Sequence, residues 1–197
     1  MSSSETEWLD RAQHADEEAF THLVETYQTQ VFNLCYRMLG DPAEAEDAAQ
    51  ESFWRAYQAI QKYDQTRSFI TWLLSIAAHF CIDQIRKRRM MVLPMDILPE
   101  EEAPDPMPGP ESHYNRREEQ AQVHQLLDYL SAQDRAAIIM RYWYDLSDEE
   151  IAKALSLTVS AVKSRLHRAR KELAIHWKTH QAKSARSERS YHEIPVF

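Results

Sequence analysis

The sequence predicts an all-α protein: two small helical domains joined by a Pro/Glu-rich linker, the second domain containing a helix-turn-helix. Three observations predict it. Only 2 glycines occur among 197 residues, so tight turns that need positive φ are scarce. Apolar residues recur at spacings of three and four over long stretches, the period of an amphipathic helix. Six of the eight prolines, Pro94, Pro99, Pro104, Pro106, Pro108 and Pro110, crowd together with Glu100, Glu101, Glu102, Asp105 and Gly109. No packed helix or central strand tolerates that composition. The domains are therefore expected over 1–90 and 118–178, the linker over 91–117 and a disordered tail over 179–197. In polyproline-like form, at roughly 3.1 Å per residue, the linker can reach about 80 Å.

Three helices are predicted before the linker. The first, about Asp16 to Leu39, carries Phe20, Leu23, Val24, Tyr27, Val31, Cys35, Met38 and Leu39 on one side and stops at Gly40. Asp41-Pro42 starts the second, because Asp caps and Pro fits the first turn. This helix reaches about Ile60 with Ala45, Ala49, Phe53, Ala56, Tyr57 and Ile60 aligned. The third, Ser68 to Arg89, points Phe69, Trp72, Leu73, Ile76, Ala77 and Phe80 inward or to the rim and ends in Arg86, Lys87, Arg88 and Arg89.

After the linker the helices shorten, to Glu118–Leu130 and Ala132–Tyr144 by their apolar spacing. Ser147-x-x-Glu150 is a capping box, in which each side chain satisfies the other residue's orphan backbone N–H. Leu146 and Ile151 occupy the two positions of a hydrophobic staple, so a helix over about Asp148–Leu155 is strongly specified. Thr158 caps the next helix, which is expected to end near Trp177.

On that last helix Val162, Leu166, Ala169 and Leu173 form one apolar stripe at i, i+4, i+7 and i+11. The same arithmetic turns Ser160, Lys163, Ser164, His167, Arg168 and Lys171 outward. A short helix, the turn Ser156-Leu157-Thr158 and a longer helix with a basic, hydroxyl-bearing face make a helix-turn-helix pattern. Such a helix fits the major groove, where Ser, Lys and Arg meet base edges while flanking charges hold phosphates. A solvated bundle face is the alternative, but such faces usually mix signs. Here Lys163, Arg165, Arg168, Arg170 and Lys171 have only Glu172 as acidic company.

Composition excludes other classes. The N-terminus MSSSETEWLDRAQ has neither a basic n-region nor an apolar h-region, and no stretch is long and apolar enough to span a bilayer, so a cytoplasmic protein without membrane contact is expected. Cys35 and Cys81 sit in apolar helical patterns without a C-x-x-C pairing, and are expected to be buried and reduced. A net charge of -8 opposes nonspecific adsorption to nucleic acid, so DNA contact must be confined to patches. His176 and His180 have the spacing of two ligands, yet HWKTH lacks a metalloprotease Glu and no third ligand is evident. No phosphate-binding loop and no nucleophile elbow occur. No metal, no cofactor and no intrinsic catalysis are expected.

The run EEIAKALSLTVSAVKSRLHRARKEL, within 146–173, resembles the fourth conserved region of bacterial primary-type sigma factors, especially the extracytoplasmic-function (ECF) group. EAEDAAQESFWRAYQAIQKYD and FITWLLSIAAHFCIDQIRKRR resemble the second conserved region of the same group. Both in order, around a linker, cover most of 16–177. The resemblance implies a protein that binds core RNA polymerase, at the clamp helices of the largest subunit and at the flap, and directs it to promoter DNA. It places Asp47, Gln50, Glu51, Phe53 and Trp54 on the clamp helices. Without it, Phe53 and Trp54 read as core and the neighbouring acids as favouring a helix N-terminal half. It also assigns minus-ten recognition and strand melting to Trp72, Phe80, Arg86, Arg88 and Arg89, and minus-thirty-five reading to the outward residues of the last helix. The pattern departs at Phe80, where many members carry Asn: a ring there can stack but supplies no amide. An anti-sigma factor is the further partner that the resemblance implies. Two other readings of the same residues are a stand-alone helix-turn-helix repressor or activator and a helical scaffold without DNA contact.

Overall fold

The computed structural model describes residues 3–91 and 122–191, so the linker expected over 91–117 falls outside the described residues apart from Met91, as do 192–197 at the end of the expected tail. Eight helices follow, with no strand among the described residues. They are α1 (Ser3–Gln13), α2 (Glu17–Leu39), α3 (Pro42–Ala59) with a 3-10 turn at Ile60–Lys62, α4 (Phe69–Met91), α5 (122–128), α6 (Ala132–Trp143), α7 (Asp148–Ala154) and α8 (Val159–Tyr191).

Local chemistry sets most of these ends. Asp16 accepts from the Ala19 N–H at 3.0 Å and Asp41 from the Glu44 N–H at 2.9 Å, so both act as N-caps. Gly40 closes α2 in the left-handed region at φ 83, donating its N–H to the Tyr36 carbonyl at 2.9 Å. The capping box at Ser147 and Glu150 is complete, and Leu146 and Ile151 of the staple are both buried. Thr158 accepts from the Ala161 N–H at 3.1 Å, and Ser156 takes the positive φ (55) that turns α7 into α8.

Two elements differ from the sequence expectation. Helix α1 had no predicted counterpart, because its apolar residues are sparse. Leu9 and Ala12 nevertheless bury against α2, and Gln13 donates its amide to the carbonyls of Ile60 and Tyr63 at 3.0 and 2.7 Å. Helix α8 does not stop near Trp177 but runs to Tyr191. Past Leu173 its sequence holds no Gly or Pro to break it.

Helices α1–α4 form a first module and α5–α8 a second. In the first, Ala45, Ala48, Ala49, Ser52 and Ala56 give α3 a small-residue face that packs closely on α2 and α4. Cys35 of α2 and Cys81 of α4 are buried and unbridged, and their mutual hydrogen bond together with burial pushes the Cys81 thiol pKa up. The two modules then share a core. Helix α6 packs on α2 and α4 as well as on α7 and α8, and residues 134–140 are buried on every side. That explains a run from Arg135 to Met140 that is apolar nearly all round.

Polar contacts lock this junction. The buried Arg135 donates to the Met38 carbonyl at 2.7 Å, near the C-terminus of α2, and pairs with Asp128 at 2.8 Å. The Tyr144 hydroxyl donates to the Gln30 carbonyl, His124 meets Tyr36 edge to face at 4.4 Å, and the Arg37 guanidinium lies 5.0 Å over the Trp143 ring.

Candidate nucleic-acid and polymerase interfaces

Along α8 the apolar stripe behaves as its spacing predicts: Val162, Leu166 and Ala169 are buried and Leu173 is half-buried. Ser160, Lys163, Ser164, His167, Arg168 and Lys171 are all exposed. The basic flank needs one correction. Arg165 faces α6 and is not part of the open face: it donates to Asp134 at 2.8 Å and to Gln133 at 2.5 Å. The exposed cations Lys163, Arg168, Arg170 and Lys171 remain, enough for a local positive surface on an acidic chain.

The residues singled out on α4 fall into two sets. Trp72 and Phe80 lie on one half-buried stripe with Ile76. Trp72 packs against Tyr63 at 4.9 Å and Phe69 at 5.6 Å between ring centroids, so it is rim and not deep core. It also lines a cleft of about 210 Å³ whose near wall is Thr66, Arg67, Ser68, Thr71 and Ser75 and whose far wall is Glu150, Lys153 and Ala154 of α7. One face of the Phe80 ring is covered by the Arg55 guanidinium at 4.8 Å. Of the terminal basic run, Arg86 is exposed and 4.0 Å from Asp83, Arg88 pairs with Glu44, and Arg89 reaches the Leu130 carbonyl of the second module at 3.4 Å.

On α3, Asp47, Gln50 and Trp54 are exposed while Glu51 and Phe53 are half-buried. Trp54 is 56% exposed and, among the described residues, stacks on Tyr57 at 6.1 Å, so it is not a core residue. Glu51 is held by Arg55 at 2.7 Å. Phe53 and Gln50 line a groove of about 470 Å³ with Ala49 and Glu46, closed on its other side by Val24, Gln28, Thr29 and Phe32 of α2. The α2 wall was not singled out from the sequence, since only Val24 belongs to the recognised apolar stripe. A second cleft, about 350 Å³ and almost wholly apolar, joins Val123, Leu126 and Leu127 of α5 to Ile138, Trp143, Leu173, Ala174 and Trp177. Its signal in the sequence was the pair Trp143 and Trp177, the one closing α6 and the other beyond the apolar stripe of α8, whose large rings stand half out of the core.

Comparison with known proteins matches residues 23–90 to Sigma-70 region 2 and residues 120–173 to Sigma-70, region 4. The chain is 35% identical over 183 residues to the ECF RNA polymerase sigma factor SigW of Bacillus subtilis, covering 84% of this chain and 92% of that one. Solved structures share the fold, CnrH and RpoE among them. CnrH, in complex with the cytosolic domain of CnrY, has a TM-score of 0.66 at 24% identity, covering 87% of this chain and 96% of that one. The sigma factor RpoE, in complex with the anti-sigma factor NepR from Bartonella quintana, has a TM-score of 0.62 at 21% identity, covering 81% and 96%. Among the described residues no helix is long and apolar enough to cross a membrane.

Proposed function

The chain belongs to the sigma-70 family, in its extracytoplasmic-function group, and directs promoter-specific transcription initiation by core RNA polymerase; from that premise we propose which of its residues do each part of the work. Ser160, Lys163, Ser164, His167, Arg168 and Lys171 read the minus-thirty-five element in the major groove. The observation that carries this is their joint exposure on the face opposite the buried stripe of α8. Trp72 and Phe80 supply ring surface for bases of the melted minus-ten strand, and Arg86, Arg88 and Arg89 track its backbone. Asp47, Gln50, Glu51 and Trp54 form an acidic ledge around an aromatic anchor, suited to a basic, partly apolar polymerase surface, with Phe53 in the adjoining groove.

The division into 1–90, 91–117 and 118–178 is kept as the functional one, with the closed packing as the state that must open. A single folded body of this length has a radius of gyration of roughly 16 Å, or about 40 Å across. Promoter elements two helical turns apart are separated by roughly 70 Å. Opening also withdraws α7 from the cleft at Trp72 and frees Arg89 from Leu130. A linker with a reach of about 80 Å permits it. The factor acts by binding rather than by making bonds, works in the cytoplasm beside polymerase, and takes an anti-sigma partner as its structural relative RpoE does.

Run-off transcription with core polymerase tests this assignment. The intact protein should give promoter-dependent transcripts, and a Lys163→Ala/Lys171→Ala variant should lose them while still associating with core. Tight, specific occupancy of the same DNA by the protein alone would favour a stand-alone repressor or activator instead.

A further inference from the structure

We infer that Asp134 is a positioning residue for duplex reading, a nearly buried carboxylate on α6 that aims the guanidinium of Arg168. The inference rests on the reading of α8 as the duplex-binding helix.

Asp134 lies in the first turn of α6, and its side chain is 9% exposed. Its Oδ1 accepts from Arg165 Nη1 at 2.8 Å and lies 3.6 Å from Arg168 Nη2. Arg165 adds a second bond, from Nη2 to Gln133 Oε1 at 2.5 Å. The apolar stripe beneath α8 is non-directional: burial of Val162, Leu166 and Ala169 holds the helix down but tolerates small rotations and slides. The directional part of the joint is the fork of Arg165 on two neighbouring acceptors, the kind of partly buried polar contact that fixes register.

Arg168 differs from Arg165 in being 58% exposed. Its Nη2 pairs with Asp134 across 3.6 Å, an ion pair longer than a hydrogen bond, and more than half of the side chain stays open to solvent or DNA. A guanidinium tethered at one edge has fewer orientations to lose when the other edge meets a base or phosphate, and Arg reads bases through such fixed two-point geometry. Asp134 therefore acts through Arg168 and touches no DNA itself.

A double-mutant cycle on the full-length protein bound to core polymerase tests this. The quantity read is discrimination, the ratio of occupancy on a promoter with an intact upstream element to occupancy on one with that element scrambled. Arg168→Ala should lower it about tenfold, within the range of one lost two-point base contact. Asp134→Asn should lower it several-fold, and the double variant should match Arg168→Ala within about twofold. Because Asp134→Asn strands a partly buried guanidinium, the cycle is repeated with Asp134→Asn/Arg165→Met, which removes both charges. The triple variant with Arg168→Ala should again match Arg168→Ala alone within about twofold. Multiplying fold-losses, or wild-type discrimination in both Asp134 variants, would overturn the positioning role while leaving α8 as the reading helix. An Arg168→Ala protein with undiminished discrimination would remove Arg168 from the reading face and this inference with it.

Discussion

At Trp54 and Phe53, adjacent on α3, the same residue class does different work. Trp54 stands out from the fold, and Phe53 shares its ring between the groove and the core. Trp54→Ala should therefore weaken association with core polymerase by about 2 kcal/mol or more, roughly thirtyfold in Kd, as for an interface anchor. The thermal midpoint should stay close to that of the intact protein. Phe53→Ala should lower both. Affinity by a competition assay and stability by calorimetry separate the two, and equal loss of stability in both variants would return Trp54 to a core role. The sequence made α3 legible as a helix but not this division, because both rings are apolar and lie within one turn. Arg165 reads as part of the open basic side for a related reason: its position at the edge of the stripe allows it to face solvent or α6, and only the acceptors Asp134 and Gln133, thirty-odd positions away, turn it to α6.

Helix by helix, strong local signals translated directly. The capping box, Gly40 and the Asp41-Pro42 pair mark ends because each satisfies or removes an orphan backbone group within a few residues. Helix α1 carries no such mark and too few apolar residues for a visible period, yet it is bound by contacts whose partners lie as far off as Tyr63. Its contribution is measurable. Leu9 is fully buried, so Leu9→Ala should cost about 2–5 kcal/mol in denaturant unfolding. A cost below about 0.5 kcal/mol would mean that α1 is not docked in solution. Helix α6 shows the converse. Its all-round burial was written in Ala136, Ala137, Ile138, Ile139 and Met140, but the surfaces that cover it belong to both modules.

For the molecule as a whole, polar contacts add direction to the shared apolar core of the closed arrangement, and Arg135 is the most buried of those described above. Its Nε has no hydrogen-bond partner, and desolvation lowers its pKa from the ordinary arginine value, so the latch is held at a cost. Arg135→Ala should shift the balance toward open forms by about 1–3 kcal/mol. Dyes placed through Gln61→Cys and Glu172→Cys should then show reduced energy transfer without polymerase. Unchanged transfer would show that apolar contacts alone hold the modules together. Acid should act in the same direction. Burial is the main reason that the His124 pKa lies below its ordinary range; Arg37 and Arg135 lower it further, against Asp128. An opened molecule restores the ordinary value and takes up the proton first. Closure is thus fully supported above the ordinary histidine range, near pH 6.5, and weakens as pH falls through it toward the lowered value. Transfer should fall between about pH 7 and 5 in the intact protein and stay flatter in His124→Phe.

Short-range chemistry was enough to read the helices with good caps and the outward face of α8 from the chain alone, because each depends on residues within one or two turns. Tertiary structure alone decided that the modules share α6, that α7 stands over Trp72 and that Arg165 belongs to the core side. Those outcomes depend on which apolar and charged groups meet across 31 to 114 positions of chain, and a local period carries no record of such partners.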